Sequence, residues 1–257
     1  MLNIAVRAAR TAGSVIIRQA DRVDGLKIDT KGINDFVTAV DRQAETIIID
    51  TITKAYPHHA ILAEESGRRD GEEYLWIIDP LDGTTNYLHG FPQYCVSIAV
   101  TRHGRTEHGV VFDPLRQELF TASRGSGAAL NERRIRVSNR SNLKSALLGT
   151  GFPFSNMSRM ETYLNIFRDL SIPAAGIRRA GAAALDLAYV AAGRLDGFWE
   201  FGLKDWDLAA GALLIRESGG LISAPDGSSD WQESGDVVAG TPRVFTAMLK
   251  TIKPHLE

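Results

Sequence analysis

Two short apolar runs, Ala60 to Ala63 and Tyr74 to Ile78, each end abruptly in acid, the first at Glu64-Glu65 and the second at Asp79. Their length and composition favour strands buried on both faces, so the chain delivers carboxylates to the ends of elements that lie inside a core. The second run continues as Asp79-Pro80-Leu81-Asp82-Gly83-Thr84-Thr85-Asn86. Pro80 removes a ladder donor and Gly83 permits an unusual backbone turn, which lets both carboxylates face one point just beyond the strand. Two such acids repel, and one must protonate unless a positive charge joins them.

A divalent cation resolves that conflict. The donors on offer are all oxygens: Glu64, Glu65, Asp79, Asp82, the Leu81 carbonyl, the Thr84 hydroxyl and, further on, Asp205 and Asp207. Hard oxygen donors without a His or Cys cluster favour Mg²⁺, with Mn²⁺ as a substitute, over zinc or copper. Gly83-Thr84-Thr85-Asn86 also suits the opening of a helix, whose free amides attract an anion such as phosphate. Cations beside a phosphate cradle imply phosphoryl chemistry. No Gly-rich loop ending in Lys-Ser or Lys-Thr is present, which disfavours a nucleotide-driven transferase and leaves hydrolysis by activated water.

The remaining pattern is mixed α/β. Residues 2–18 carry an amphipathic helical stripe, a polar turn lies around Lys31 to Asn34, and Thr38 with Asp41 marks the start of a second helix ending before Pro57. From Val96 to Val137, short apolar runs separated by turn signals at His103-Gly104, Asp113-Pro114, Gly125-Ser126-Gly127 and Asn131-Glu132 predict an antiparallel meander. Beyond it, strand-like and helical segments alternate, with helices over 160–170, 182–192, 206–217 and from Pro242. This order predicts a layered sandwich of sheets and helices. The expectation is a single domain over 1–257, with an N-terminal half to about residue 140 built on a mostly antiparallel sheet and a C-terminal α/β half over 141–257.

Composition excludes several classes. With 44% hydrophobic and 23% charged residues the chain falls outside disordered, collagen-like and disulfide-dense proteins, and its net charge of −2 provides no global attraction to nucleic acid or anionic membranes. Arg7, Arg10 and Arg18 interrupt the first twenty residues, so no signal peptide is expected there. The longest uncharged run, from Gly83 to Thr101, is broken by Asn86, His89, Pro92 and Gln93, so no membrane partner is expected. A single cysteine, Cys95, closes no internal disulfide and points to a reducing, cytoplasmic setting. Cys95 reads as a core residue rather than a nucleophile, and His58 and His59 read as a solvated turn. Arg133, Arg134, Arg136, Arg140 and Lys144 read as a solvated basic hairpin, with RNA or protein contact as the alternative.

Asp79 to Asn86, preceded by Trp76-Ile77-Ile78, resembles the first signature of the inositol monophosphatase family, and Trp206-Asp207-Leu208-Ala209-Ala210-Gly211 resembles its second. Lys31, Asp35-Phe36-Val37-Thr38, Asp41 and Ala63-Glu64-Glu65-Ser66 also stand at the family's spacing, so the likeness spans essentially the whole chain. Thr150-Gly151-Phe152-Pro153-Phe154 and the segment from Ala183 to Arg194 are most similar to bacterial members of the extragenic-suppressor type. The resemblance implies an α-β-α-β-α layered sandwich and Mg²⁺-dependent, lithium-sensitive hydrolysis of a phosphate monoester. The implied substrate is inositol monophosphate or a related small polyol phosphate, although other relatives take fructose bisphosphate, histidinol phosphate or phosphoadenosine phosphate. It further implies Glu64, Asp79 and the Leu81 carbonyl around one cation, Asp79, Asp82 and Asp207 around a second, and Glu64 touching a weaker third. Thr84, with Asp41 and Glu64, forms the implied catalytic group that orients the attacking water. Implied substrate contacts are Asp82, Gly83, Thr84, Gly181, Ala182, Ala183, Glu200 and Asp207, with Ala182 where some relatives carry a hydroxyl. From the residues alone, Asp41 is equally a helix cap, Asp207 and Asp205 suit a helix start, and Glu65 points away from Glu64. A homodimer is implied as well. The alternative reading is a protein- or RNA-binding role in transcription antitermination and ribosomal RNA maturation.

Overall fold

The stripe over the first residues folds as a helix, α1 (Leu2–Ala20), whose buried side is Ala5, Ala8, Ala9, Ala12 and Ile16. The computed structural model describes residues 1–20, 28–32, 35–154 and 156–256, with backbone alone at 28–32 and 35–37. Strands β1 (Ile28–Gly32) and β2 (Asp35–Thr38) pair antiparallel. Lys31, expected in a polar turn, therefore belongs to a strand, and residues 33 and 34 of that turn lie outside the described residues. Thr38 caps α2 (Ala39–Ala55): its hydroxyl accepts from Val40 N, and Asp41 Oδ2 accepts from Thr38 N at 2.9 Å, a reciprocal box that fixes where the helix begins.

The first sheet has eight strands: β3 (His59–Ala63), β4 (Gly67–Arg69), β5 (Glu72–Asp82), β6 (Cys95–Arg102), β7 (Arg105–Asp113), β8 (Glu118–Ser123), β9 (Gly127–Leu130) and β10 (Arg133–Ile135). Their order is β10-β9-β8-β7-β6-β5-β3-β4, with β3 parallel to β5 and the meander from β5 to β10 antiparallel throughout. The acid-bearing strand differs from its expectation. Instead of stopping at Ile78, β5 pairs Asp79 with Ser97, loses register, and resumes with Asp82 opposite Cys95. Pro80 cannot donate to the ladder, so it interrupts pairing without ending the strand, and the irregularity turns both carboxylates to one side. His59 also departs from the predicted turn. It lies in β3, stacked on Tyr56 at 4.6 Å and accepting from Trp76 Nε1 at 3.0 Å, whereas His58 is exposed.

The second sheet has five strands, β11 (Leu147–Thr150), β12 (Gly176–Arg178), β13 (Gly197–Glu200), β14 (Leu221–Ser223) and β15 (Val237–Gly240), in the order β12-β11-β13-β15-β14. Among the described residues six further α-helices follow, of which α3 and α7 are short: α3 (Thr84–Leu88), α4 (Met160–Ser171), α5 (Ala183–Ala191), α6 (Asp205–Glu217), α7 (Trp231–Ser234) and α8 (Pro242–Ile252). Three apolar clusters define the layers. The first joins α1 and α2 to one face of the large sheet through Ile48, Ile52, Trp76, Ile78 and Val110. A second fills the space between the sheets, where Ile77, Val111 and Phe120 meet Leu187 and Leu213 of α5 and α6 and then Phe198 and Val237. A third packs α4 and α8 on the outer face of the small sheet, around Leu148, Tyr163, Trp199 and Met248. Together they make an α-β-α-β-α sandwich, with α5 and α6 apolar nearly all round because they sit between two sheets. No helix among the described residues is long and apolar enough to cross a membrane.

Candidate active site

The N-termini of α3, α5 and α6 meet at the irregular end of β5. Asp79 Oδ1 accepts from Leu81 N at 2.9 Å, a short-range turn that ties this carboxylate to the Leu81 backbone. Gly83 follows with φ of +92°, and a Cβ there would lie 2.8 Å from the Gln93 carbonyl, so both its conformation and its surroundings demand glycine. Thr84 then opens α3, and its hydroxyl reaches Asp41 Oδ1 at 2.9 Å and the Leu81 carbonyl at 3.1 Å. Asp41 thus does both things its position allowed. One oxygen caps α2 and the other holds Thr84, and burial pushes its pKa up despite these bonds.

Asp82 Oδ2 accepts from Ala184 N at 2.8 Å, in the first turn of α5, and from the Cys95 thiol at 3.6 Å. Cys95 is fully buried with its thiol pKa raised well above the ordinary value by desolvation and neighbouring acids, so it supports Asp82 rather than acting as a nucleophile. Asp207 lies in the first turn of α6, where its Oδ2 accepts from Lys204 N at 2.7 Å and Ser97 Oγ donates to the Trp206 carbonyl at 3.1 Å. Sheet and helix are thereby tied at the point where their acids converge. One carboxylate oxygen from each of Asp79, Asp82 and Asp207 lies within 4.8 Å of the others.

The charge of Asp82 weighs on both Asp79 and Asp207, and that of Asp207 on Asp79. Burial raises Asp82 to about 6 and pushes Asp79 and Asp207 well above the carboxylate range, and the charge of Glu64 adds to the last two. Glu64 is outside the trio but close enough for that effect. It sits just past β3, its N–H on the Ile78 carbonyl at 3.1 Å, in a turn anchored by Glu45, whose carboxylate accepts from Glu65 N at 2.8 Å and Ser66 N at 2.9 Å. Asp205 is exposed at the helix start and stands apart from the trio. An all-oxygen donor set with uncompensated repulsion fits a hard divalent cation.

The loop before α5 closes another side. Asn86 Nδ2 lies 2.7 Å from the Gln93 carbonyl, 2.8 Å from that of Ala180 and 3.2 Å from that of Gly181, drawing Gly181 and Ala182 against Gly83. Glu200, at the end of β13, is pushed well above the carboxylate range by burial and by Asp207, Asp186 and Asp82, with Arg179 opposing. Arg179 rests on the rings of Phe152 and Phe154 at 5.3 and 5.2 Å. Sequence reasoning missed Glu45, Asn86, Arg179 and Asp186 as contributors. For Asp186 a signal existed, since it is the lone acid in the apolar run of α5 and is buried there.

Comparison with known proteins agrees with this geometry. The model of the inositol monophosphatase family matches residues 1–256. The Nus factor SuhB of Pseudomonas aeruginosa is 58% identical over 262 residues, covering 100% of this chain and 97% of its own. Among solved structures, the extragenic suppressor protein suhB of Bartonella henselae superposes with a TM-score of 0.95 at 44% identity, covering 98% of this chain and 97% of that one. An inositol monophosphatase from Anabaena superposes with a TM-score of 0.86 at 39% identity, over 98% and 95% of the two chains. On sequence and structure alike, the chain belongs to the inositol monophosphatase family.

Proposed function

We propose that this chain is a Mg²⁺-dependent phosphomonoesterase that hydrolyses inositol monophosphate or a related small polyol phosphate. The observation that carries the reading is the trio Asp79, Asp82 and Asp207 beside the Thr84–Asp41 pair. Glu64, Asp79 and the Leu81 carbonyl are the ligands we assign to one cation, and Asp79, Asp82 and Asp207 those of a second, with Mn²⁺ an effective substitute. When bound, the cations lower the pKa of the attacking water and offset the charge that grows on the leaving oxygen. Thr84 has one O–H to share between Asp41 Oδ1 and the Leu81 carbonyl, and with that hydrogen committed its oxygen serves as an acceptor for the attacking water. Asp41 is therefore a positioning group for Thr84. Gly83 and Thr84 bound the phosphate, while Gly181, Ala182, Ala183 and Glu200 bound the polyol, Glu200 accepting from its hydroxyls.

A second reading rests on the name of the relative at 58% identity, a Nus factor. In that reading the chain contacts transcription machinery or RNA, alone or besides catalysis. We further assign a cytoplasmic homodimer whose single domain is divided near residue 140. Phosphate release from inositol 1-phosphate, compared with fructose bisphosphate, histidinol phosphate and phosphoadenosine phosphate, tests the first reading. Turnover that needs Mg²⁺, stops with chelator and falls with lithium is expected. No turnover on any substrate would shift the assignment to the binding role.

A further inference from the structure

Far from the carboxylates, three arginines surround a cleft of about 200 Å³ between the β6–β7 turn, the C-terminal end of α6 and α7. Arg105, Arg124 and Arg216 line it, with Thr106 and Gln232 beside them and no acid in the lining among the described residues. Arg216 stands nine positions after Asp207, about 13.5 Å along α6 at 1.5 Å per residue, so the cleft is distinct from the candidate active site.

Two of the guanidinium groups are held in place. Arg124 donates from Nε and Nη2 to the Thr106 carbonyl at 2.9 and 2.6 Å. Arg216 lies over the ring of Trp231, 5.5 Å from its centroid, and that indole is itself buried. Of the neighbouring acids, Glu107 pairs with Arg124 itself at 3.4 Å without joining the lining, and the Glu217 carboxylate accepts from Gly125 N at 2.8 Å and Gly127 N at 2.7 Å. Arg105 and Arg216 have no ion-pair partner among the described residues. Partial desolvation and the charge of Arg124 hold Arg216, exposed as it is, below its ordinary range, and an anion between the two arginines would relieve their repulsion.

We propose that this cleft is a second oxyanion site that binds a phosphoryl group. The guanidinium fork offers paired N–H donors matched to phosphate oxygens, and orienting two of the forks in advance reduces the entropy lost on binding. At about 30 Å³ per water, the space takes one or two phosphoryl groups but not a whole nucleotide, so only the charged part of a ligand enters. That part comes from a free phosphorylated compound or from the backbone of a nucleic acid passing over the surface.

Calorimetric titration of metal-stripped protein with inorganic pyrophosphate reads this cleft, because uncompensated carboxylates at the other site repel the anion. Saturable binding that weakens with salt, and at least tenfold in both Arg216→Gln and Arg105→Gln, is the expected result. Both positions are exposed, and unchanged thermal midpoints of the variants show that folding is intact. A single-stranded RNA oligonucleotide forms the second arm. Binding tenfold tighter than pyrophosphate with the same losses identifies a phosphodiester chain, and equal or weaker binding identifies a free phosphorylated ligand. Failure of both ligands to bind saturably, or binding that the two substitutions leave unchanged, overturns the proposal, and neither outcome depends on turnover at the carboxylates.

Discussion

Asp82 carries opposing demands at one residue. It takes part in a trio of acids that a cation would join, yet it is buried and its charge is costly without that cation. Asp82→Asn removes a ligand and one of three repelling charges together. Phosphate release in Mg²⁺ is expected to fall by at least about 100-fold, while the metal-free variant melts no lower than the parent, and full activity in the variant would refute the ligand assignment. Gly151 makes a separate demand. A Cβ there would lie 2.0 to 2.3 Å from the Glu200 carboxylate, so Gly151→Ala must push that carboxylate aside. The KM for inositol 1-phosphate should rise about tenfold, the worth of one charged hydrogen bond, with p-nitrophenyl phosphate unaffected. An unchanged KM would remove Glu200 from polyol recognition. Residues of this kind differ in how readable they were. Asp79, Asp82 and Thr84 announce themselves because Pro80 and Gly83 stand among them, and Asp207 through its place in the second family-like signature, since a helix start alone reads as an offset to the helix dipole. Glu45 and Asn86 do not, since their partners are backbone groups as many as 95 positions away and no spacing rule reaches them.

Elements were read best where a local rule governs them. The capping box of α2 and the four turns of the meander depend on neighbours in sequence, and each formed where its residues indicated. β5 was read too short because Pro80 signals an end when taken alone, whereas β6 alongside supplies enough pairing on either side to carry the strand past it. Joining α3 to the loop before α5 is the work of Asn86, which bridges the two with one amide. Asn86→Ala leaves part-buried carbonyls without their donor and is expected to cost about 1 kcal/mol, seen as a lower denaturation midpoint, along with reduced turnover as residues 180–183 relax away from Asp82. A variant as stable as the parent would show that packing alone holds that loop.

Across the whole molecule the layers followed from composition and order, but which layer faced which did not, because apolar α5 and α6 give no one-sided stripe to orient them. Their place between the sheets is what brings Asp207 to Asp79 and Asp82. Those acids also set a pH dependence. Their folded pKa values exceed the unfolded value of about 3.9, Asp82 reaching about 6 and Asp79 and Asp207 also standing well above that unfolded value, so the folded state holds extra protons above pH 4. Metal-free stability must therefore fall as pH rises through about 4 to 6 and beyond, and Mg²⁺, which replaces those protons, should raise the melting temperature more at pH 8 than at pH 5. An equal rise at both would place the cation elsewhere. The position of α6 in the chain has a consequence for synthesis. During translation the large sheet is complete by Ile135, but the helices that cover its inner face are not made until residues 183–217 leave the ribosome. A nascent chain halted before α6 would present a partly uncovered apolar sheet to chaperones and lack Asp207, so the candidate site is completed only well after the sheet that carries its first two acids.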